Sequence, residues 1–328
     1  MVDFVVLWVD GDDPAWREEF LKARQKAGRD ADGAVIRYRD WATLRYWFRG
    51  VERFAPWVRK IHFITWGHLP DWLDTSHPKL HIVRHEEYLP EAYRPTFNSN
   101  TLELNLHRIE GLAEQFVLFN DDTFLTSACA ESDFFRRGLP CDMARLSPVQ
   151  ASSVGHTIYN NLRLINALHP RKSLNRHLLK WLSPRYGVGP LLKTLSLMPW
   201  SFFPGFYDHH LPQPYLKSQF HSAWERWGEE LDRSCHNTLR ELTDLSHWLI
   251  RYDGLCRGEF SPRNFRDSRL MNLDDQGLAS ACCAVSEGRY RLLCLNDSEC
   301  VGDFERSKAQ LQTAFEALLP ERSSYEIK

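Results

Sequence analysis

The amino-acid sequence predicts an α/β protein with a mostly parallel central sheet, helices on both faces of that sheet and a basic helical insertion. Three observations lead to this fold class. Strand-like apolar runs alternate with helical segments along residues 1–125, as expected for parallel strands joined by helices. Acidic clusters directly follow two of these runs. A long segment in the middle of the chain carries basic charges and no acidic ones.

The first part of the chain divides into strands and helices in regular order. We predict strands at 2–9, 60–66, 80–84 and 115–119, and helices at 16–27, 41–54 and 101–112. The strands are nearly continuous apolar runs, which is typical of parallel strands buried on both faces. Their alternation with helices predicts a Rossmann-like sheet.

The last part of the chain reads as helical from 221 to about 255, strand-like at 289–295 and helical again at 303–319. We therefore predict one catalytic α/β domain made of residues 1–125 and 205–328. Residues 126–204 are predicted to be a variable helical insertion in that domain.

The insertion has an unusual charge pattern. No Asp or Glu occurs between Asp142 and Asp208, and the basic residues of this interval are Arg145, Arg163, Arg171, Lys172, Arg176, Lys180, Arg185 and Lys193. Leucines and a tryptophan are interleaved with them. Such a segment could be a solvated helical insertion whose apolar side packs on the core. It could instead contact a glycan acceptor, a phosphate-rich substrate or an anionic membrane surface.

Composition excludes several classes of protein. The charges nearly balance, with 41 Lys and Arg against 43 Asp and Glu, so nothing global indicates a nucleic-acid partner. The 8 cysteines lack zinc-ligand spacing. No apolar run is long enough to span a bilayer, and the first residues lack the features of a signal peptide. We expect a cytoplasmic protein with free thiols.

The stretch "FVLFNDDTF" at 116–124 ends an apolar strand with Asn120, Asp121 and Asp122. Adjacent carboxylates repel each other, so a pair at a strand end indicates a bound cation. Magnesium prefers a few carboxylate oxygens and shares its other positions with water and phosphates. Asp10, Asp12 and Asp13 follow the first strand and form a second acidic cluster. The plain alternative for both clusters is an acidic turn.

Other candidate positions have structural alternatives of similar weight. Glu103 lies near the start of a predicted helix, where it could favour the helix dipole or lie beside a bound diphosphate. His210 lies in a polar loop before a proline, where surface histidines are common. Arg240 and Asp244 are spaced for an ion pair along a helix.

Several stretches resemble the Stealth family. "DFVVLWVDGDDPAW", "LRYWFRGVERFAPWVRKIHFITWGHLPDWL" and "PTFNSNTLELNLHRIEGLAEQFVLFNDD" are similar to its first two conserved regions. "HHLPQPYLKS" through "TLRELTDLSHWLIRY" resembles the third region, and "LCLNDS" to "LLPERSSYE" resembles the fourth. The family comprises bacterial capsule hexose-1-phosphate transferases and the eukaryotic N-acetylglucosamine-1-phosphate transferase. It implies a glycosyltransferase-A-like variant of the predicted sheet.

The strand-end acids and the resemblance together give a set of candidate residues. The catalytic candidates are Glu103, Asp122, His210 and Arg240; the candidate ligands of Mg²⁺ or Mn²⁺ are Asp121, Asp122 and Asp297; the substrate-binding candidates are Asp10, Arg45, Asn98, Asn120, Lys217 and Asn296. One position departs from the family pattern, because the glutamate expected before Leu44 is replaced by Thr43, which follows Ala42.

The resemblance also implies a reaction. A hexose-1-phosphate, for example N-acetylhexosamine-1-phosphate, would pass from a UDP-sugar to a hydroxyl of a capsular or exopolysaccharide acceptor, and UMP would leave. Either His210 or Glu103 could accept the hydroxyl proton. The alternatives are a metal-dependent glycosyltransferase that releases UDP and a polysaccharide-binding protein without catalysis. The sequence names neither the sugar nor the acceptor, and peripheral contact with the inner membrane stays an open expectation.

Overall fold

The computed structural model describes residues 1–28, 39–152, 154–298 and 300–327. Its strands are β1 Val2–Leu7, β2 Ile61–Thr65, β3 Leu80–Arg84, β4 Gln115–Phe119, β5 Thr123–Leu125, β6 Phe135–Arg136, β7 Leu139–Asp142, β8 Gln213–Leu216, β9 Ser261–Pro262, β10 Ser268–Leu273 and β11 Leu292–Asp297.

The helices are α1 Pro14–Lys26, α2 Leu44–Phe54, α3 His85–Tyr88, α4 Ser99–Leu104, α5 Glu131–Phe134, α6 Gly155–Leu168, α7 Leu178–Trp181, α8 Val188–Leu197, α9 Lys217–Cys235, α10 Trp248–Arg257, α11 Leu278–Ser286 and α12 Phe304–Leu318. Short 3₁₀ turns connect several of them.

The central sheet has the strand order β3-β2-β1-β4-β8. The first four strands are parallel, and β8 runs antiparallel to β4. The predicted fold class, a mostly parallel sheet with helices on both faces, is therefore confirmed. The register of the last pair places Gln213 opposite Leu118, so the loop before β8 reaches the edge at which β1 and β4 end.

Alternate residues of the strands enter two separate hydrophobic cores. Phe4 and Val6 point into a core formed with α2, α11 and α12. Val5 and Leu118 point into the other core, formed with α9, α10 and the insertion. Because each buried valine, leucine or phenylalanine contributes about 1.5–3 kcal/mol, coverage on both faces explains why these strands are nearly continuous apolar runs.

Two smaller sheets complete the architecture. Strand β11, the counterpart of the strand predicted at 289–295, pairs with β10 and with the short β5 that follows the acid pair. Its end therefore lies beside that pair without belonging to the central sheet. The third sheet, β6-β7-β9, lies at the start of the insertion.

Two predicted helices were wrong in extent. The helix predicted at 101–112 is α4 followed by a 3₁₀ turn, because the Asn105 amide donates to the Thr101 carbonyl and so competes with the helical backbone. Residues 237–247 are irregular, although the sequence predicted a helix there. Asp244 accepts the backbone N–H of Glu241 at 3.0 Å, which favours a turn. Arg240 and Asp244 consequently do not form the helical pair that their spacing suggested.

The insertion packs on the main core through Leu162, Ile165, Leu174 and Trp181, all of which are buried. The two acids on either side of its acid-free stretch, Asp142 and Asp208, are both bound by the buried Arg251. Asp142 accepts from Arg251 at 2.7 Å and 3.0 Å, and Asp208 accepts from the same guanidinium at 3.0 Å. Although burial alone would raise the pKa of Asp142, Arg251 holds it well below its ordinary value. Over the described part of the chain, no helix combines the length and the apolar character needed to cross a bilayer.

Candidate active site

A cleft of about 800 Å³ opens at the edge of the central sheet where β1 and β4 end. Sheets of this type bind ligands at the carboxyl ends of their strands. Four predicted site residues line the cleft, namely Glu103, Asn120, His210 and Arg240. They come from α4, from the end of β4, from the loop before β8 and from the irregular segment before α10. Residues far apart in the sequence thus meet because β8 is antiparallel to β4.

Asp122 lies at the base of this edge and contacts two other potential ligands. Its Oδ2 is 3.6 Å from His210 Nε2 and 3.5 Å from Cys294 Sγ. These three side chains bring one oxygen, one nitrogen and one sulfur within 4.8 Å of one another. The second oxygen, Oδ1, is buried and has no hydrogen-bond partner among the residues that the structure describes. A buried carboxylate oxygen without a donor is suited to a cation.

The donor chemistry limits which of these groups would bind a metal. Burial raises the pKa of the Cys294 thiol well above its ordinary value. Hard cations such as Mg²⁺ also prefer oxygen ligands to sulfur. Asp122 and the adjacent Asp121 remain as hard oxygen donors, and His210 offers a nitrogen. This set fits a divalent cation that keeps further positions for water and phosphate oxygens.

Asp121 is exposed at this edge. Loss of part of its water, followed by the repulsion of Asp122 and a smaller one from Asp40, raises the pKa of Asp121 above its ordinary value. Asp40 is an acid that the sequence analysis missed. Its Oδ1 accepts the backbone N–H of Ala42 at 2.7 Å, and Ala42 has a left-handed φ of 52°. An acid therefore lies near the position where the family glutamate is absent.

His210 has a left-handed backbone conformation, with φ at 47°. Such a conformation is uncommon for a side chain of this size and is found at functional sites. The neighbouring residues hold it. Asp208 is bound by Arg251 and by the Tyr252 hydroxyl at 2.6 Å, and the buried His209 lies 3.6 Å from Asp142. The contact with the Asp122 carboxylate, 3.6 Å away, is the main reason why the pKa of His210 is raised.

Glu103 is buried at the wall of the cleft, with 7% of its surface exposed. Loss of water raises its pKa to about 7, and the positive charges of Arg240 and His210 only partly oppose this shift. Glu103 Oε2 is 3.7 Å from His247 Nε2, and His247 Nδ1 is 2.6 Å from the Tyr215 hydroxyl. Because burial lowers the pKa of His247 to about 3, this imidazole is neutral. Glu103 is thus a carboxyl group that can bind or release a proton near neutral pH.

Arg240 lies exposed on the cleft and donates to Ser99 Oγ at 2.7 Å. Asn98 has a positioning role, because its side-chain oxygen caps α4 by accepting from Asn100 N–H, and its amide donates to Asp244 at 2.9 Å. These bonds join α4 to the segment that carries Arg240.

Other predicted site residues lie outside the cleft lining. Arg45 packs over the Trp72 ring at 5.6 Å, and the Asn296 amide donates to Asn272. Asp297 accepts hydrogen bonds from Arg39 Nε at 3.1 Å and from Arg39 Nη2 at 2.5 Å. Asp10 N–H donates to His68 Nε2 at 2.7 Å, at the end of β1. Their predicted roles in binding remain predictions.

Lys217 is at the opposite edge of the sheet. It follows β8, whose last residue Leu216 pairs with Gln115 at the start of β4, and its N–H donates to the Glu114 carbonyl. Lys217, predicted as a substrate-binding residue, follows His210 by seven positions in the sequence. An antiparallel strand separates the two, so Lys217 has no place in the site described above.

Some residues that surround the site were not predicted from the sequence. His247, Tyr215 and Arg251 belong to helical or strand-like stretches with no local signal of function. One available signal was the position of Asp142 and Asp208, the two acids that flank the acid-free stretch of the sequence. Both proved to bind the same buried arginine.

Comparison with known proteins identifies the family. The model of Stealth protein conserved region 1 matches residues 2–29, and that of conserved region 2 matches residues 37–141. A capsular polysaccharide phosphotransferase, WcwK of Streptococcus pneumoniae, is 40% identical over 99% of this chain and 98% of its own length. The receptor polysaccharide phosphotransferase WefC of Streptococcus oralis is 36% identical, over 99% of both chains. The exopolysaccharide phosphotransferase cps2G of Lactiplantibacillus plantarum is 34% identical, over 99% of this chain and 96% of that protein.

These matches identify this α/β protein as a transferase. The chain belongs to the Stealth family of phosphotransferases. Among solved structures, a galactosyltransferase, LgtC, aligns with 95% of both chains at 10% identity and a TM-score of 0.40. The fold class rests on the strand order and pairing of this chain.

Proposed function

We propose that this protein transfers a hexose-1-phosphate from a UDP-sugar to a hydroxyl group of a capsular or exopolysaccharide acceptor and releases UMP. The relatives are named as polysaccharide phosphotransferases, which supports the reaction class. The single observation that carries the proposal is the convergence of Glu103, Asp122, His210 and Arg240 at one edge of the sheet. Phosphoryl transfer depends mainly on positioning and charge stabilisation, which these residues can supply.

The donor diphosphate is proposed to lie at the end of β4. Asp121 and Asp122 would hold Mg²⁺ or Mn²⁺ there, and Asn120 and Asp10 border the same edge. The bound cation would neutralise charge on the diphosphate. His210 faces this corner with its raised pKa, and Arg240 lines the cleft, so both can donate hydrogen bonds to phosphoryl oxygens.

Glu103 is proposed as the general base. The acceptor oxygen forms a bond to the sugar-bound phosphorus as Glu103 takes the hydroxyl proton. The bond between this phosphorus and the bridging oxygen of UMP breaks, and its electron pair leaves with UMP. A base whose pKa lies near the working pH is effective in such a step, and burial gives Glu103 a pKa of about 7.

Nucleotide analysis tests the proposal. Purified protein is incubated with a panel of UDP-sugars, Mg²⁺ or Mn²⁺ and capsule-type oligosaccharides, and the products are identified by chromatography and phosphorus NMR. We expect UMP and a new phosphodiester. UDP with a new glycosidic bond would instead identify a glycosyltransferase, and glycan binding without any nucleotide product would identify a binding protein.

A further inference from the structure

The insertion forms one wall of the cleft. This wall carries a positively charged side chain, Arg145, to which the proposed function gives no role. Arg145 lines the cleft next to Ser147 and Val149. It lies on a short backbone pairing that joins the two ends of the acid-free stretch between Asp142 and Asp208, because Tyr207 N–H donates to the Arg145 carbonyl and Leu146 pairs with Phe206. The position of Arg145 is therefore set by the same closure that anchors the insertion.

The Arg145 guanidinium is backed by an aromatic ring and has no anionic partner within the part of the chain that the structure describes. Its central carbon is 4.3 Å from the centre of the Tyr207 ring. Nε is buried without a hydrogen-bond partner, and no carboxylate pairs with this side chain in the described residues. The acids closest in sequence are occupied, since Asp208 and Asp142 are bound by Arg251. A half-buried arginine keeps its charge, and its planar fork matches phosphate oxygens.

We infer that Arg145 is a phosphate-binding residue of the cleft. It holds oxygens of a substrate phosphoryl group from the insertion side, opposite the acids of β4. The nature of that substrate rests on the proposed function. Two sources supply the same chemistry, namely the diphosphate of the donor and a phosphate group carried by the glycan acceptor.

The first test needs no turnover. Calorimetry measures the binding of inorganic pyrophosphate to the full-length wild type, to Arg145→Gln and to Arg163→Gln, which removes an exposed arginine of the same insertion. We expect Arg145→Gln to weaken binding by about 10-fold to 100-fold, because a charge-assisted hydrogen bond is lost, and Arg163→Gln to leave it unchanged. Arg145→Lys keeps the charge and the packing on Tyr207 and should lose less.

Equal affinity in Arg145→Gln and the wild type would overturn the inference, as would a wild type that does not bind pyrophosphate. Steady-state kinetics then separates the two sources. A higher KM for the UDP-sugar assigns Arg145 to the donor, and a higher KM for the acceptor assigns it to the glycan. Failure of the proposed function would appear separately, as absence of UMP while pyrophosphate binding still depends on Arg145.

A different observation concerns the outer surface of the insertion. Helix α8 exposes Val188, Leu192 and Leu195 along one face, with 73%, 60% and 46% of their surfaces accessible. Trp200 and Phe202, each 50% exposed, follow the helix and pack edge to face at 5.7 Å. We call these five residues the α8 surface. Exposed aliphatic and aromatic side chains clustered in this way indicate a contact surface.

The charges of the insertion select the partner. The sequence contains no Asp or Glu between 142 and 208. Four basic residues of this stretch are exposed, namely Lys193 on α8 and Lys172, Arg176 and Arg185 before it. Apolar side chains among basic ones, without acids, match an anionic lipid surface, where the apolar groups enter the interface and the cations face phosphate headgroups. We propose that the α8 surface docks the protein on an anionic membrane.

Vesicle flotation tests this proposal. We expect wild type to bind vesicles containing phosphatidylglycerol, to bind phosphatidylcholine vesicles much less, and to be released by salt. The double variant Val188→Glu, Leu192→Glu should lose about tenfold or more in affinity, since apolar burial is replaced by charge repulsion. The control Leu21→Glu changes a 42% exposed leucine of α1 and should bind like wild type.

Unchanged flotation of the double variant would contradict membrane docking. Sedimentation distinguishes the other occupant, a second copy of the chain. A dimer that dissociates in the double variant would replace the membrane proposal by a subunit interface.

Discussion

Asp122→Asn is expected to reduce phosphotransfer by about 10³-fold or more, because a bound cation contributes several kcal/mol of charge stabilisation. The substitution removes the negative charge of the Asp122 carboxylate. Oδ1 of this group is buried without a donor among the described residues, and Oδ2 is 3.6 Å from His210 Nε2. Asparagine has the same shape, so the fold should be retained. The UMP-release assay with Mg²⁺ and with Mn²⁺ measures the loss, and thermal melting verifies the fold.

Two comparisons make the Asp122 result specific. Asp74→Asn removes a carboxylate from an exposed turn between β2 and β3 and should keep wild-type activity. Removal of divalent cations from the wild type with EDTA should cause a loss comparable to that of Asp122→Asn, and added cation should restore only the wild type. Turnover near the wild-type rate in a folded Asp122→Asn protein would exclude the metal and phosphate role of this acid.

Glu103→Gln is expected to lower kcat/KM by about 10²-fold to 10⁴-fold, the usual contribution of a general base. In the wild type, Glu103 must lose its proton to act, and its pKa is raised to about 7. Wild-type kcat/KM should therefore fall as the pH decreases below about 7, and this acid limb should be absent from the residual activity of the variant. Arg240, His210 and His247 face Glu103. The acid limb of the pH profile therefore reports the titration of Glu103 or of one of these neighbouring groups.

Stability gives a second, independent measure of Glu103. A carboxyl whose folded pKa is raised stabilises the fold less as the pH rises from its ordinary value of 4.5 to about 7. Glutamine remains neutral, so the unfolding free energy of Glu103→Gln relative to wild type should increase by about 3 kcal/mol between pH 4.5 and pH 8. Denaturant unfolding measures this difference.

Glu110→Gln is the matched control, because it changes an exposed glutamate a few residues beyond α4. It should alter neither the pH profile nor the pH dependence of unfolding. If Glu103→Gln kept the wild-type acid limb, another residue would be the base, and His210 is the remaining candidate.

The sequence predicted the strands of the central sheet closely. The strands predicted at 80–84 and 115–119 have those bounds in the structure. For β4 the reason is its continuous apolar run, which is buried between the two cores. Helix ends were less predictable, since they depend on side-chain to backbone bonds such as that of Asn105 to Thr101. The apparent helix before α10 failed for the same reason, through the contacts of Asp244.

Local chemistry in the sequence pointed to candidate residues, whereas neighbours that depend on long-range pairing had no such signal. The acid pair was visible because two carboxylates ended a strand. Cys294 and His247 were not, because one approaches Asp122 through a second sheet and the other approaches Glu103 through α10. The phosphate role predicted for Lys217 depended on proximity along the chain, which the direction of β8 removes.

The sequence alone determined the parallel sheet and the acids at the end of β4, because apolar periodicity and strand-end chemistry are local properties of the chain, and its motif stretches indicated the family by resemblance. The tertiary structure decided which residues share a cleft. It did so through long-range contacts, above all the antiparallel pairing of β8 with β4 and the binding of both Asp142 and Asp208 to Arg251. These contacts depend on packing between distant segments, and no local pattern of residues specifies them.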